Sequence, residues 1–194
     1  MGPFIPSITL TDSDGVTQSI ITNETACPGD IGAHGTVGFA MTSKGRPVMV
    51  WKANPDNSLR YKYFCHGFAL DTYRRFGYSV CSDADILRAL EDDYVEIGAG
   101  QSASDTIQLL KIGDIVSFAE LSGKIIHTAK VFIIDINPSD PLRPVRFVDI
   151  ILFSKNCFNV ECLEPFLVTF INYPTIQRIR VWRARTCFDD TMQQ

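Results

Sequence analysis

The sequence predicts an α+β fold, and three observations predict it. Residues 1–58 read as β-hairpins, residues 65 to about 92 carry helical spacing, and the rest returns to strand-like runs. Strands and helices are therefore segregated along the chain rather than alternating, which is the mark of α+β architecture. The length of 194 residues and a hydrophobic content of 45% suit one domain with a core of its own, needing no metal or disulfide framework. The chain is read as a single domain over 1–194, with a β-rich N-terminal segment at 1–58 and the main body at 59–194.

The elements follow in order. "SITLTDSDGVTQSIIT" is two β-rich runs around Asp-Ser-Asp-Gly, a hairpin signal, and "GTVGFAMTSKGRPVMVWKA" repeats it around Lys44-Gly45. The stretch between them, "CPGDIGAHG", reads as loop and includes His34. "NPDNS" is a turn cluster closing the segment. In "CHGFALDTYRRFG" the residues Cys65, Phe68, Ala69, Thr72 and Phe76 fall on one face of a helix running from Cys65 to a C-terminal stop at Gly77. A second helix starts at "SDADILRALEDDY", with Ser82 as N-cap, Asp85 completing the start, and Ile86, Leu87 and Leu90 as its apolar stripe. "GDIVSF" is a strand over Ile115–Phe118. "GKIIHTAKVFIIDI" is a long strand with Ile125, His127, Ala129, Val131 and Ile133 on one face. "VRFVDIILFSKN" and "TIQRIRVWRA" complete the antiparallel run.

Composition excludes several classes. The net charge of −4 argues against nucleic acid as a partner. The Arg178 and Arg180 pair alternates with Ile179 and Val181, as the solvent face of a strand does. No apolar run reaches membrane-spanning length. The N-terminus lacks the pattern of a secretory signal, and Pro3 disfavours myristoylation at Gly2. The expectation for localisation is synthesis in the cytoplasm, with any export by a route that needs no signal. The six cysteines form no CxxC pair and, with the three histidines, no zinc pattern, so free thiols are expected.

Cys65 raises a chemical question. At the first residue of a helix, unpaired backbone N–H groups and the helix dipole favour an anion, and the thiolate is the reactive form of cysteine. Those N–H groups also suit the oxyanion of a tetrahedral intermediate. Such a thiol needs a base within reach. His66 is adjacent, but neighbours on a helix diverge by about 100°, which sets it aside. His127, opening a later strand, is the candidate base. Singly, a helix-start cysteine and a histidine among isoleucines are both ordinary core residues; the pairing points to nucleophilic chemistry.

"YFCHGFAL" followed by "KIGDIVSFAELSGKIIHTAKV" resembles papain-like cysteine amidohydrolases of the NlpC type and the related CHAP amidases. Cys65, Gly113-Asp114-Ile115-Val116, Phe118, Gly123 and His127 match in order and spacing, and Ser154-Lys155 and Glu164-Pro165 match further on. The chain departs from the pattern at Phe64, where asparagine is common, at Asn156-Cys157 for Trp-Gly, and at Glu164, where histidine is frequent. The resemblance spans roughly residues 60–183. It implies a papain-like fold, with a nucleophile helix packed on an antiparallel sheet. It also implies a catalytic set of Cys65 as nucleophile, His127 as base and Glu164 as the acceptor that orients His127, with Asp149, Asn156 and Glu161 as rivals for the third place.

The function expected is that of a cysteine hydrolase. It would cleave an amide bond of a peptidoglycan peptide or protein substrate through a thioacyl-enzyme, with no cofactor and no metal. An effector or toxin role would add a cognate inhibitor protein as partner. A transglutaminase, deamidase or acyltransferase would use the same pair of residues, and an inactive binding module would use neither. Nucleic acid and membrane are not expected as partners.

Overall fold

The structure, a computed structural model, describes residues 1–3, 5, 7–11, 17–21, 24–26, 34–55, 65–80, 82–135, 139–140, 142–155 and 161–185. The Asp-Ser-Asp-Gly turn of the first hairpin lies outside the described residues. So do Asn23, Tyr61, Tyr63, Phe64, Asn156, Cys27, Cys81, Cys157 and Cys187.

The architecture is α+β, with every described strand pair antiparallel. Strands β1 (Ser7–Thr11) and β2 (Thr17–Ile21) form a hairpin ladder. Next come β3 (Glu24–Ala26), β4 (His34–Met41) and β5 (Pro47–Ala53), so His34 opens a strand instead of sitting in a loop. Gly45, at φ +74°, makes the turn between β4 and β5, a left-handed position that suits glycine. These strands build a four-stranded sheet in the order β3-β4-β5-β6, whose last member, β6 (Ser79–Val80), comes from beyond the helices. Val50 pairs with Val80 and Trp51 with Ser79, which ties the β-rich N-terminal segment to the rest of the chain.

The expected helix from Cys65 is two short ones, α1 (Cys65–Ala69) and α2 (Thr72–Phe76). The break falls at Asp71, which has φ +56°, a left-handed conformation that ends one helix and starts another. Asp71 is ion-paired with Lys130. Helix α3 (Asp83–Asp93) begins as expected, with the Ser82 hydroxyl accepting from the Asp85 N–H at 3.1 Å. Then follow β7 (Tyr94–Ile97), α4 (Ala103–Gln108), β8 (Ile115–Ala119), β9 (Ile125–Ile134), β10 (Ile150–Lys155), β11 (Glu161–Pro165), α5 (Phe166–Asn172) and β12 (Arg178–Ala184). The strands of this second half form a six-stranded sheet in the order β11-β10-β9-β8-β12-β7.

Each face of this sheet carries a core. On one, Ile115, Ala119, Ile125 and Trp182 pack against Val48 and Val50 of β5, Ala69 and Leu70, and Ile86, Ala89 and Leu90 of α3. On the other, Val116, Phe118, Ala129, Val131, Leu152 and Val181 pack against Ile107 of α4 and Phe166 of α5. Fully burying side chains of this size contributes about 1.5–3 kcal/mol each. The single-face expectation for β9 fails at both ends. The ladder pairs Phe118 with His127 but Ala119 with Ile125, so Ile126 is an extra residue and Ile125 turns into the first core. A second irregularity, at Phe132, separates Ile133 from Val131 and leaves Ile133 41% exposed. His127, Ala129 and Val131 do share a face.

Candidate functional site

Cys65 starts α1, which lies across β9 and β10 on the first-core face; Phe68 of α1 meets Phe153 of β10 edge to face, with centroids 4.8 Å apart. Phe68, Ala69 and Gly67 are buried because α1 is pressed between the sheet and β6. A Cβ on Gly67 would sit 2.3 Å from Ser79 Oγ, so only glycine lets α1 approach β6 this closely. His127 points to the opposite face. Its ring stacks on Tyr173 at 4.7 Å between centroids and lies 5.8 Å from Phe118.

The two side chains meet at an edge in the sheet. β10 last pairs with β9 at Ser154–Ala129. Val131 exchanges backbone bonds with the β8 side, its N–H donating to Asp114 O at 2.8 Å and its carbonyl accepting from Gly113 N–H at 2.8 Å. Backbone direction alternates along a strand. Thr128 therefore turns its N–H to the other side, beyond the end of β10, where it draws the Cys65 thiol down.

The electrostatics of the thiol follow from this placement. Burial pushes the Cys65 thiol up. The His127 imidazole, as hydrogen-bond partner and as a charge, pulls it down, and the backbone N–H groups of Thr128 and His66 add to the pull. The net result is a thiol that titrates below the ordinary cysteine value. Neither ring nitrogen of His127 has a hydrogen bond of regular geometry among the described residues. The approach of His127 to Cys65 is therefore not a regular hydrogen bond. Cys65 is 7% exposed and His127 0%.

His66 is not where neighbour geometry on a helix would put it. Its Nδ1 lies 3.7 Å from Cys65 Sγ and 2.9 Å from Thr128 Oγ1. The 100° divergence holds for Cβ directions; two torsions of the imidazole swing the ring back over the first turn. Burial lowers the His66 pKa to about 4, against a weaker upward pull from Asp83.

Glu164 is buried on the His127 face, two strands away on β11. Ser154 Oγ donates to Glu164 Oε1 at 2.7 Å and Asn172 Nδ2 donates to Oε2 at 3.2 Å. Ser154 stands opposite both Cys162 of β11 and Ala129 of β9, and so occupies the strand between Glu164 and the strand of His127. Asp149 is at the far end of β10, held by Arg143 and Arg146. Glu161 alternates to the opposite face from Glu164 and pairs with Arg74 at 3.4 Å. Of the expected set, Cys65 and His127 are brought together. Thr128, Tyr173, Ser154 and His66 are the additional residues around them. Only His66 was visible in the sequence as a chemically suggestive neighbour; the others depend on strand register.

Asp114 of the Gly-Asp turn is structural: both its carboxylate oxygens accept from Arg183, at 2.7 Å each, and Oδ2 also caps the Lys111 N–H. Among the described residues, Cys65 and Cys162 form no disulfide. A cavity of about 360 Å³ lined by Leu70, Asp71, Tyr94 and Lys130 lies toward the other end of α1 and includes neither Cys65 nor His127. Among the described residues, no group of three or more His, Cys, Asp or Glu is placed to hold a metal ion. No described helix is long and apolar enough to cross a membrane. The chain matches no protein-family model, no curated protein and no solved structure.

Proposed function

We propose that the chain is a papain-like cysteine hydrolase that cleaves an amide bond through a thioacyl-enzyme. One arrangement carries the reading: His127 and the backbone N–H groups of Thr128 and His66 are placed about the buried Cys65 so as to draw its thiol below the ordinary value. A buried structural cysteine has the opposite shift.

In this reading the Cys65 thiolate attacks the substrate carbonyl carbon, and the oxyanion is held by backbone N–H at Cys65. Collapse of the tetrahedral intermediate breaks the C–N bond as the His127 imidazolium gives its proton to the leaving amine. His127 then takes a proton from water, hydroxide adds to the thioester, and the acid leaves as Cys65 is regenerated. Glu164 accepts from Ser154 and Asn172 and not from the imidazole, so in this reading the stacked Tyr173 and the nearby Phe118 orient His127. The order of helix, GDIV strand, histidine strand and two further strands supports a peptidoglycan peptide or a protein as substrate. An effector or toxin role with a cognate inhibitor protein, and export without a signal, go with that class.

The 7% and 0% exposure of the pair favours a second reading. A site that excludes bulk water also suits transfer of the acyl group to an amine, as in a transglutaminase or acyltransferase. One substrate panel separates the two: peptide cleavage or ammonia release without amine incorporation supports hydrolysis, and amine incorporation supports transfer. Cys65→Ala abolishes either activity, a loss on the order of 10⁴-fold or more in kcat/KM. Tyr173→Ala, which removes the ring stacked on His127, lowers kcat by about 10²-fold through misplacement of the imidazole. Full activity in Cys65→Ala would refute both readings, and a wild-type chain inactive on the whole panel would leave a binding module.

A further inference from the structure

His66 has no part in the mechanism above, yet its Nδ1 faces the nucleophile at 3.7 Å and Thr128 Oγ1 at 2.9 Å. A ring nitrogen offers either a lone pair or a proton. A lone pair turned toward an anionic sulfur is repelled, and an N–H is attracted. Thr128 Oγ1 has lone pairs to accept with and so fits the protonated nitrogen as well. With Cys65 ionised, the proton of a neutral His66 therefore sits on Nδ1.

We propose that His66 is a positioning residue for the nucleophile: an uncharged Nδ1–H donor, shared between Thr128 Oγ1 and Cys65 Sγ, that holds the sulfur as a thiolate beside His127. The proposal rests on the reading of Cys65 as an ionised nucleophile. Burial of the His66 ring, which lowers its pKa to about 4, keeps it neutral over the working pH range, so it donates without competing for the proton that His127 handles. Two histidines beside one sulfur thus take separate tasks because their surroundings differ. The elements packed against α1 are β9, β10, β6 and α2. They and the Asp71 junction bring the titratable or charged groups His127, Lys130, Lys155, Asp71, Tyr73, Arg74 and Arg75. Lys130 is paired with Asp71 and Arg74 with Glu161, and Asp83 of α3 acts on His66 from farther off.

The test is the pH profile of Cys65 alkylation by iodoacetamide, read by peptide mass spectrometry on the full chain from about pH 4 to 9. His66→Phe should raise the alkylation midpoint by about one pH unit, slowing the reaction about tenfold below the midpoint. His66→Asn, whose amide N–H falls near the position of Nδ1, should restore the wild-type profile; a ring that merely fills space would not be rescued this way. If His66→Phe does not fold, His66→Gln, with its amide one bond farther out, replaces it and should raise the midpoint too. A wild-type midpoint retained in the folded His66 variants, while His127→Ala moves it, overturns the role of His66 and leaves the hydrolase reading standing. A wild-type midpoint at the ordinary cysteine value of about 8.5 removes the thiolate on which both depend.

Discussion

The Cys65 thiol depends on its neighbours across space more than on its own helix. α1 has five residues, and a helix that short has little summed dipole, so the anion-stabilising effect expected from a long helix is small here. His127 and the Thr128 N–H supply the stabilisation, and both come from a strand far away in sequence. Asp92 shows the same logic without chemistry. Its carboxylate is fully buried and accepts from Thr42 Oγ1 at 2.6 Å and from Arg46 at 2.7 and 2.5 Å, with Lys44 at 3.3 Å. These donors, Arg46 first, hold it well below the usual carboxylate range. Asp92→Ala strands the Thr42 hydroxyl and frees Arg46, and should cost about 1–3 kcal/mol, measured as a lower urea midpoint at unchanged slope. Cys65 and His127 were legible in the sequence because helix-start and strand-start positions leave a spacing pattern. The Thr128 N–H was not, because it depends on where β10 stops. The return of the His66 ring was not either, since side-chain torsions leave no trace in residue order.

Among the elements, α1 is the one on which the site turns, and its seat is the bare Cα of Gly67. Gly67→Ala would bring a methyl to 2.3 Å from Ser79 Oγ and 3.0 Å from Ser79 Cα, forcing α1 off β6. Overpacking of this kind costs about 1–3 kcal/mol. The shift also carries Cys65, so the variant should combine a lower thermal midpoint with slower alkylation of Cys65 at acidic pH; a wild-type alkylation profile would show that α1 does not set the geometry. Helix α3 and strands β8, β9, β10 and β12 were readable from periodicity and capping. The helices α4 and α5 were not, because six or seven residues give too few turns for an apolar stripe to stand out. The break between α1 and α2 was hidden for another reason. Helical spacing continues across it, and only the left-handed Asp71, tied to Lys130 of β9, interrupts the backbone.

For the whole molecule, acid should weaken the fold in two stages. The His66 pKa falls from 6.5 unfolded to about 4 folded, so below pH 6.5 the unfolded chain takes up the proton first, and stability declines as pH drops toward 4. Asp92 and Asp149, both held far below their ordinary value of 3.8, add a further loss below that value, as their salt bridges are protonated away. Denaturant midpoints between neutral and acidic pH should fall in that order, and His66→Asn should remove the first stage alone. The α+β class was visible in the order of periodicities. The sharing of one core between the N-terminal strands and α3 was not, since it hangs on the two-residue β6, too short to announce itself.

The proposed pair also straddles the sheet. Cys65 belongs to the layer above it and His127 to the packing beneath, and His127 acts on the sulfur around the end of β10. The distance between them is set by how two independent layers seat on a common floor, so the site works as a gauge of their alignment. Loosening either layer pulls sulfur and imidazole apart before any strand has to melt. If the pair reacts as proposed, its reactivity is the first property to be lost under stress, and an intact fold does not guarantee it.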